Sequence, residues 1–419
     1  MYTETVTGRI PIFLVLLPVI ATWWLTAATE WRGEVTAQKI LVGKSQREFA
    51  LTFPLSAEPA RSAATRMLVS KSSEHDELNA YFDRSIEQRP LYAPYWQDRA
   101  KAAFEAGDSE AARRYADKAV ALWPNRASLT WKAALLYSRL GDTDRAFSSL
   151  RSVVASEPYS PFRAIALALR LEPDPESALS LVLPDGNFDI TERDNIVWRL
   201  LIIARRQNQF ELGTAAWNQF SEEARNNEQF VNNYVGWKAT TGKRDEALTA
   251  WREYRGTAGS ESIENPGFEE SVAGGLAWRI YEKDGSQAEQ SKVKSFSGKQ
   301  SMHIEFNGTE NSSYFNVRQF VPVDSGASYR LAFYWHGENI TTRSGPFVQI
   351  VSIPWKQIAR TEDKWGSWGW ESVKLEFAVP AGIEIIDLRI ARYKTDDLDR
   401  KISGDLWLDD FKLTKLNDE

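Results

Sequence analysis

Cysteine is absent from the 419 residues, which excludes thiol catalysis, disulfide frameworks and thiolate-held zinc. That absence suits a reducing and an oxidising compartment equally. Histidine occurs three times, at His75, His303 and His336, too scattered for a histidine-built metal centre. Strong charge of either sign is also lacking. A formal net charge of −6 advertises neither nucleic acid nor an acidic membrane surface as a partner. Against these absences stand 17 tryptophans. Trp buries large area and stacks on sugar faces, so the count points to recognition of carbohydrate or protein before small-molecule catalysis. Part of them is expected to do no more than fill helix and sheet cores.

Long hydrophobic runs are confined to one. Ile10 to Ala28, "IPIFLVLLPVIATWWLTAA", is 19 residues without a charge, near the ~20 needed to cross the hydrocarbon of a bilayer. Arg9 precedes it, Glu30 and Arg32 follow, and Trp23, Trp24 and Trp31 sit where an aromatic belt lies. Residues 1–31 are read as an uncleaved membrane anchor, with a transmembrane helix over about 10–29. A signal peptide cleaved near Thr26-Ala27-Ala28 is the alternative. It is disfavoured by a mixed-charge start and by two Trp in the cleavage region. Residues 32–72 show no clear periodicity and read as a tether.

From residue 73 to 255 a fixed period appears. Pro90, Pro124 and Pro158 are 34 apart, as are Gly107 and Gly141, each followed by Asp, and Ala112 and Ala146. Trp217 and Trp251 keep the interval, and so do Asn208 and Gly242. Such a period marks stacked helix–turn–helix units. Gly-Asp ends one helix and turns the chain, a small residue five positions later admits the next helix, and Pro closes it. These features resemble the tetratricopeptide repeat. Trp96, Ala100, Gly107, Ala112, Ala119 and Pro124 fall on that family's signature positions, and Ala134, Tyr137, Gly141, Ala146, Leu150 and Pro158 follow in the next unit. Later units are degenerate, with Gly213 and Ala247 in the small position, and 159–183 reads as a shortened pair. The resemblance implies an α-solenoid whose groove takes a partner protein.

The rhythm changes at 256. "SMHIEF" (301–306), "YFNVRQFVPV" (314–323), "SYRLAFYWHG" (328–337), "FVQIVSI" (347–353), "ESVKLEFAVP" (371–380), "IEIIDLRIARY" (383–393) and "DLWLDDFKL" (405–413) alternate as strands do. Residues 256–419 therefore read as an antiparallel β-sandwich, opened by "NPGFEE" (265–270), in which Asn265-Pro266-Gly267 makes the turn into the first strand. The order "NPGFEE", Trp278, "SGKQSMHI", "VPVDSGASYRLAFYW", "WESVKLEFAVPAG", "GDLWLDDFKL" resembles the CenC-type carbohydrate-binding modules, which share the galactose-binding-like jelly roll. The resemblance implies a structural calcium joining the first and last strands. Glu269 and Asp410 match its carboxylates, the carbonyl of Lys299 adds a ligand, and Gly267 holds the neighbouring backbone position.

Alternation puts Tyr329, Leu331, Phe333 and Trp335 toward the core and Arg330, Tyr334 and His336 on the open face. A stacking ring between hydrogen-bond donors suits a pyranose. Gln349 on a neighbouring strand and Arg389 join this set, and Trp355, Trp365 and Trp368 clamp a glycan at its rim. Trp278, Trp370 and Trp407 read as structural. The whole is expected to be a non-catalytic scaffold of the bacterial inner membrane, single-pass and facing the periplasm. It would bind a partner protein and a glycan in surface polysaccharide (exopolysaccharide) synthesis, export or anchoring. A protein-only assembly factor is the alternative. A glycoside hydrolase is disfavoured because Glu338 and Glu362-Asp363, the acids beside the aromatic face, lie in loops with no sequence reason to pair.

Overall fold

The computed structural model describes residues 12–42, 56–70, 75–156, 161–186, 188–256, 263–271 and 274–416. The chain divides into two compact units, Met1–Leu200 and Leu201–Glu419. The change of composition at 256 is thus a change of secondary structure, while compactness divides the chain about 55 residues earlier.

The first unit is helical: α1 (Ile12–Leu41), α2 (Glu58–Val69), α3 (His75–Gln88), α4 (Ala93–Glu105), α5 (Ser109–Leu122), α6 (Ala127–Arg139), α7 (Thr143–Ser156), α8 (Phe162–Leu171) and α9 (Pro175–Val182). Helix α10 (Ile190–Arg206) crosses the division, and α11 (Phe210–Asn218), α12 (Glu222–Arg225), α13 (Glu228–Thr240) and α14 (Arg244–Arg255) belong to the second unit. The 34-residue period has a local cause. Gly107, Gly141 and Gly242 have φ of +83°, +70° and +74°, and Asn208 takes the same left-handed conformation at +54°. In all four turns the next N–H donates to the carbonyl five residues back, as in Asp108 to Ala103 and Lys243 to Lys238. This closes the helix in the Schellman manner, where a β-carbon is costly and Gly or Asn is favoured. Asp108 then caps α5 through the Ala111 N–H. Ala112, Ala146 and Ala247 are buried in the small position. At Gly213 a Cβ would fall 2.3 Å from the Trp237 ring. Trp217 and Trp251 are buried packing residues.

Parts of the segment expected as a tether, 32–41 and 58–69, are helical. Helix α1 continues to Leu41, and Ala60, Ala63, Ala64 and Met67 of α2 pack with Ile40, Leu78, Tyr81 and Phe82. Its buried side is built mostly of alanine, which brings backbones close but gives little hydrophobic signal in sequence. Residues 43–55 lie outside the described residues. Among the described residues no helix is long and apolar enough to cross a membrane. Of the span expected over 10–29, residues 10 and 11 and the side chains of 12–20 lie outside them. The anchor is therefore not shown. What is described of α1 leaves Trp23, Trp24, Leu25 and Trp31 exposed, and the helix buries Ala37 and Ile40 near its end.

The second unit adds β1 (Arg279–Ile280), β2 (Ser286–Ser291), β3 (Ser301–Asn307), β4 (Tyr314–Pro322), β5 (Ser328–Ile340), β6 (Phe347–Ser352), β7 (Lys356–Arg360), β8 (Gly366–Ala378), β9 (Ile385–Arg392) and β10 (Ser403–Leu416). They form two antiparallel five-stranded sheets, β1-β4-β9-β6-β7 (the first sheet) and β2-β3-β10-β5-β8 (the second). Alternate residues of both sheets fill one core: Val317, Val348, Leu388 and Ile390 from the first, Ile304, Leu331, Phe333 and Leu408 from the second. "NPGFEE" is not a strand. Asn265 and Phe268 have positive φ, Asn265 Oδ1 accepts the Glu270 N–H, and Pro266 O accepts the Phe411 N–H. The segment is a turn seated on an irregularity of β10 between Asp409 and Lys412. It packs Phe268 against Trp278 and Phe411, and Trp278 is a fully buried core residue as expected.

Candidate functional site

The sandwich has two outer faces, and the residues expected on one open face are divided between them. On the second sheet, Trp407 pairs across to His303 on one side and His336 on the other. The His303 ring stacks on the Trp407 indole at 4.6 Å, and His303 Nε2 lies 2.8 Å from Asp405. This platform is closed. Lys294 lies 4.2 Å over the Trp407 ring and hydrogen-bonds Glu338, leaving Trp407 4% exposed. Phe296 stacks on Tyr334 at 3.5 Å, so the Tyr334 ring face expected to receive a sugar is covered. His336 Nε2 sits 3.1 Å from Glu338 and 3.3 Å from Lys294, and Arg330 is exposed and paired with Glu376 at 2.7 Å. Trp370, expected in the core, lies outside it on this face, 5.7 Å from His336 and 6.0 Å from Phe296. Trp407 is buried, but under Lys294 rather than between the sheets.

The first sheet's outer face carries Gln349, Trp355 and Arg389. Gln349 is not beside Tyr334, because β6 and β5 belong to different sheets. Direct register across all five strands aligns Arg279, Arg318, Arg389, Gln349 and Arg360 in one row. Their neighbours in sequence point into the core, so the row faces outward. Asp387, two residues before Arg389 on the same face of β9 and fully buried, accepts Arg318 Nε at 3.0 Å and Nη2 at 2.6 Å, and Arg389 approaches it at 3.5 Å. Burial works to raise the Asp387 pKa, against the two guanidiniums. Burial also pushes the guanidinium pKa values of Arg279 and Arg389 down. Trp355 is 53% exposed, with Arg318 at 4.7 Å and Arg389 at 5.9 Å over its ring. The Gln349 amide donates to Gln357 at 2.7 Å and Tyr393 at 2.8 Å, while its buried Oε1 has no partner among the described residues.

The other two Trp of the expected clamp do not meet Trp355. Trp365 is exposed beneath the Arg343 guanidinium, and Trp368 packs against Trp335 over Gly337. Sequence reading missed Arg279, Arg318 and Asp387. The signal available was charged residues inside otherwise apolar strands, "NVRQF" and "IIDLRI".

Glu269 and Asp410 both lie beside Gly267. A Cβ at Gly267 would lie 3.5 Å from Asp409 Oδ1, 3.7 Å from Asp410 Oδ1 and 3.9 Å from Glu269 Cγ. Their oxygens already hold donors: Lys299 N–H at 2.7 Å and Gln300 N–H at 3.1 Å on Glu269, Ser297 Oγ at 2.9 Å on Asp410. Across a trans peptide N–H and C=O point opposite ways, so the Lys299 carbonyl is turned from that Glu269 oxygen. Among the described residues no group of three or more His, Asp or Glu side chains is arranged to hold a metal ion. The expected calcium is thus not shown, and the carboxylates expected to hold it have other partners.

Of the acids weighed for hydrolysis, Glu338 is held below the usual carboxylate range by Lys294, then His336, and Asp363 pairs with Arg360 at 2.9 Å. In the first unit a cavity of about 260 Å³ is lined by Gln97, Trp123, Arg126 and Lys132 among others, between successive repeats.

Residues 128–158 match the family model described as tetratricopeptide repeat. No curated protein matches the chain. Among solved structures, TmCBM61 in complex with β-1,4-galactotriose is 18% identical over 37% of this chain and 99% of its own, with a TM-score of 0.27. A structure described as "CBM4 structure and function" is 16% identical over 37% of this chain and 100% of its own, TM-score 0.28. The CBM22-1 xylan-binding domain from Paenibacillus barcinonensis Xyn10C is 15% identical over 36% and 93%, TM-score 0.24. Likeness at this level assigns no ligand and no site residue to this chain.

Proposed function

We propose that the protein is a non-catalytic binding scaffold of the bacterial envelope, in which the helical repeats take a partner protein and the sandwich takes a glycan. The observation that carries the glycan half is Trp355, exposed on the first sheet's outer face between Arg318 and Arg389, with Tyr393 and the Gln349 amide on the same face. A pyranose lays its C–H face on an indole and turns its hydroxyls to flanking donors and acceptors. The repeat match over 128–158 and the groove beside it support the protein half. The protein works in synthesis, export or anchoring of a surface polysaccharide. Its first helix holds it in the inner membrane, with the remaining parts periplasmic. The uncharged run 10–28 and the exposed Trp of α1 support that anchor. Retention in the membrane fraction through alkaline extraction tests it, and release would remove it.

The glycan proposal is tested by screening the full chain on a glycan array, with Trp355→Ala beside it. Retention of a glycan by the wild type, reduced at least about tenfold in the variant, is expected from losing one stacking platform. Binding to no glycan overturns it. Calcium at Glu269 and Asp410, without the Lys299 carbonyl that is turned away, belongs to the same proposal. Chelation is then expected to lower the melting temperature, and an unchanged value removes the ion.

A second reading, the protein-only assembly factor, is favoured by one observation: the sandwich already receives protein, since the Arg279 guanidinium lies against Gly236 of α13. Under that reading Trp355→Ala alters complex formation while glycan retention is absent throughout.

A further inference from the structure

The first sheet's outer face carries far more positive than negative charge. Arg279, Arg318, Arg389 and Arg360 occupy four of the five positions of one row. Strands lie ~4.8 Å apart, so the row extends roughly 19 Å. Asp387 answers Arg318 and Arg389 together, and Asp363 answers Arg360. Arg279 has no ion pair among the described residues. Its guanidinium donates to the Gly275 carbonyl and lies 4.4 Å over Phe320.

The β1 end of this row opens into a cavity of about 340 Å³, walled on its far side by the ends of α10 and α13. Arg205, Arg279 and Arg318 line it with Asn233, Tyr281 and Phe320, and among the described residues no carboxylate lines it. The cavity is a formed feature. Gly236 lets Arg279 approach the helix backbone, since a Cβ there would stand 2.8 Å from its Nη2. Arg205 is positioned by the Asn233 amide oxygen at 2.7 Å. Trp237, buried in the same wall, has an indole N–H without a partner among the described residues.

Three arginines line this polar cavity, and since among the described residues only Arg318 of the three has a carboxylate partner, the remaining positive charge suits an anion. Planar guanidinium forks match a carboxylate in bidentate fashion. The exposed Trp355 ring beside the row suits the sugar ring that carries it. The volume falls at the lower end of the range for small-molecule sites, about the size for one or two sugar residues. We propose that this cavity and row bind an acidic glycan, its uronic-acid carboxylates placed on Arg205, Arg279 and Arg318 and its chain running along the face past Trp355. The inference rests on the sandwich binding a glycan and specifies the class.

The test uses the full chain in affinity electrophoresis against polygalacturonate, alginate, and the same two polymers after reduction of their carboxyl groups to alcohols. Retention by at least one acidic polymer, lost on carboxyl reduction, is expected. It should fall at least about tenfold in Arg279→Gln, and weaken as salt rises. Arg205 is exposed, so Arg205→Gln leaves folding intact and is expected to weaken retention as well. Equal retention of acidic and reduced polymers would falsify the acidic class while leaving glycan binding standing. Retention indifferent to both arginine variants places the anion elsewhere and overturns the site. Retention of neither form of either polymer, where the glycan array shows neutral sugars bound, also overturns the acidic class; failure on both removes the glycan reading itself.

Discussion

Asp387 shows what a single residue can disclose and what it conceals. An acid between Ile386 and Leu388 interrupts an apolar strand, and that interruption alone marks the position as one of interest. Its partner, Arg318, lies 69 residues away, and no local rule connects them. Gln349 teaches the same lesson from the other direction. Alternation correctly sets it opposite Val348 and Ile350, yet the sheet that β6 joins is set by pairing with β9. Glu338, weighed as a catalytic acid, is held ionised by Lys294 and then His336. A carboxyl whose pKa is depressed by folding contributes stability above its ordinary value of 4.5 and loses it as pH falls through the folded value. The wild type should therefore melt above Glu338→Gln at neutral pH, and the two should converge under acid. A gap of equal size at pH 3 and pH 7 in calorimetry would contradict this.

Among elements, the helical turns were readable and the helix partners were not. Gly-Asp at 107–108 and 141–142 declares a left-handed closure followed by a cap, both within six residues. Helix α2 was hidden because alanine faces carry little periodic signal. The α13–α14 pair holds a feature invisible in sequence. The Lys238 side chain is fully buried, and its Nζ meets Glu246 at 2.5 Å and Thr214 Oγ1 at 2.7 Å. Burial pushes its pKa down, against the pull of Glu246. Stripping one partner from a buried pair costs several kcal/mol, and because Glu246 is partly exposed, Glu246→Ala should cost roughly 2 kcal/mol. Lys238→Met should cost less, since the remaining carboxylate reaches water. Denaturant titrations giving the reverse order would refute this ranking.

At the scale of the whole molecule, the second unit joins the last repeats to the sandwich. Gly275, at φ +62°, is pressed so closely that a Cβ would stand 2.2 Å from the Trp251 ring of α14. Trp251 is fully buried against that turn. The sandwich is therefore expected to be less stable when severed at the composition break than when cut ahead of α10. Residues 189–419 should melt several degrees above 257–419, in line with the loss of one large buried aromatic contact. Equal melting temperatures would show that the helices add nothing.

What the sequence determined by itself is what short-range physics encodes: repeat length through Gly, Asp and alanine spacing, strand identity through alternation, and the order of the two fold types. Those signals act within a few residues and survive without knowledge of neighbours. Which outer face is open and which is closed by Lys294 and Phe296 was decided by tertiary structure alone. So were the arginine row across five strands and the arginine-lined cavity against α13. Each depends on sheet order, and sheet order is set by contacts between segments as distant as Met302 and Leu408, where alternation carries no information.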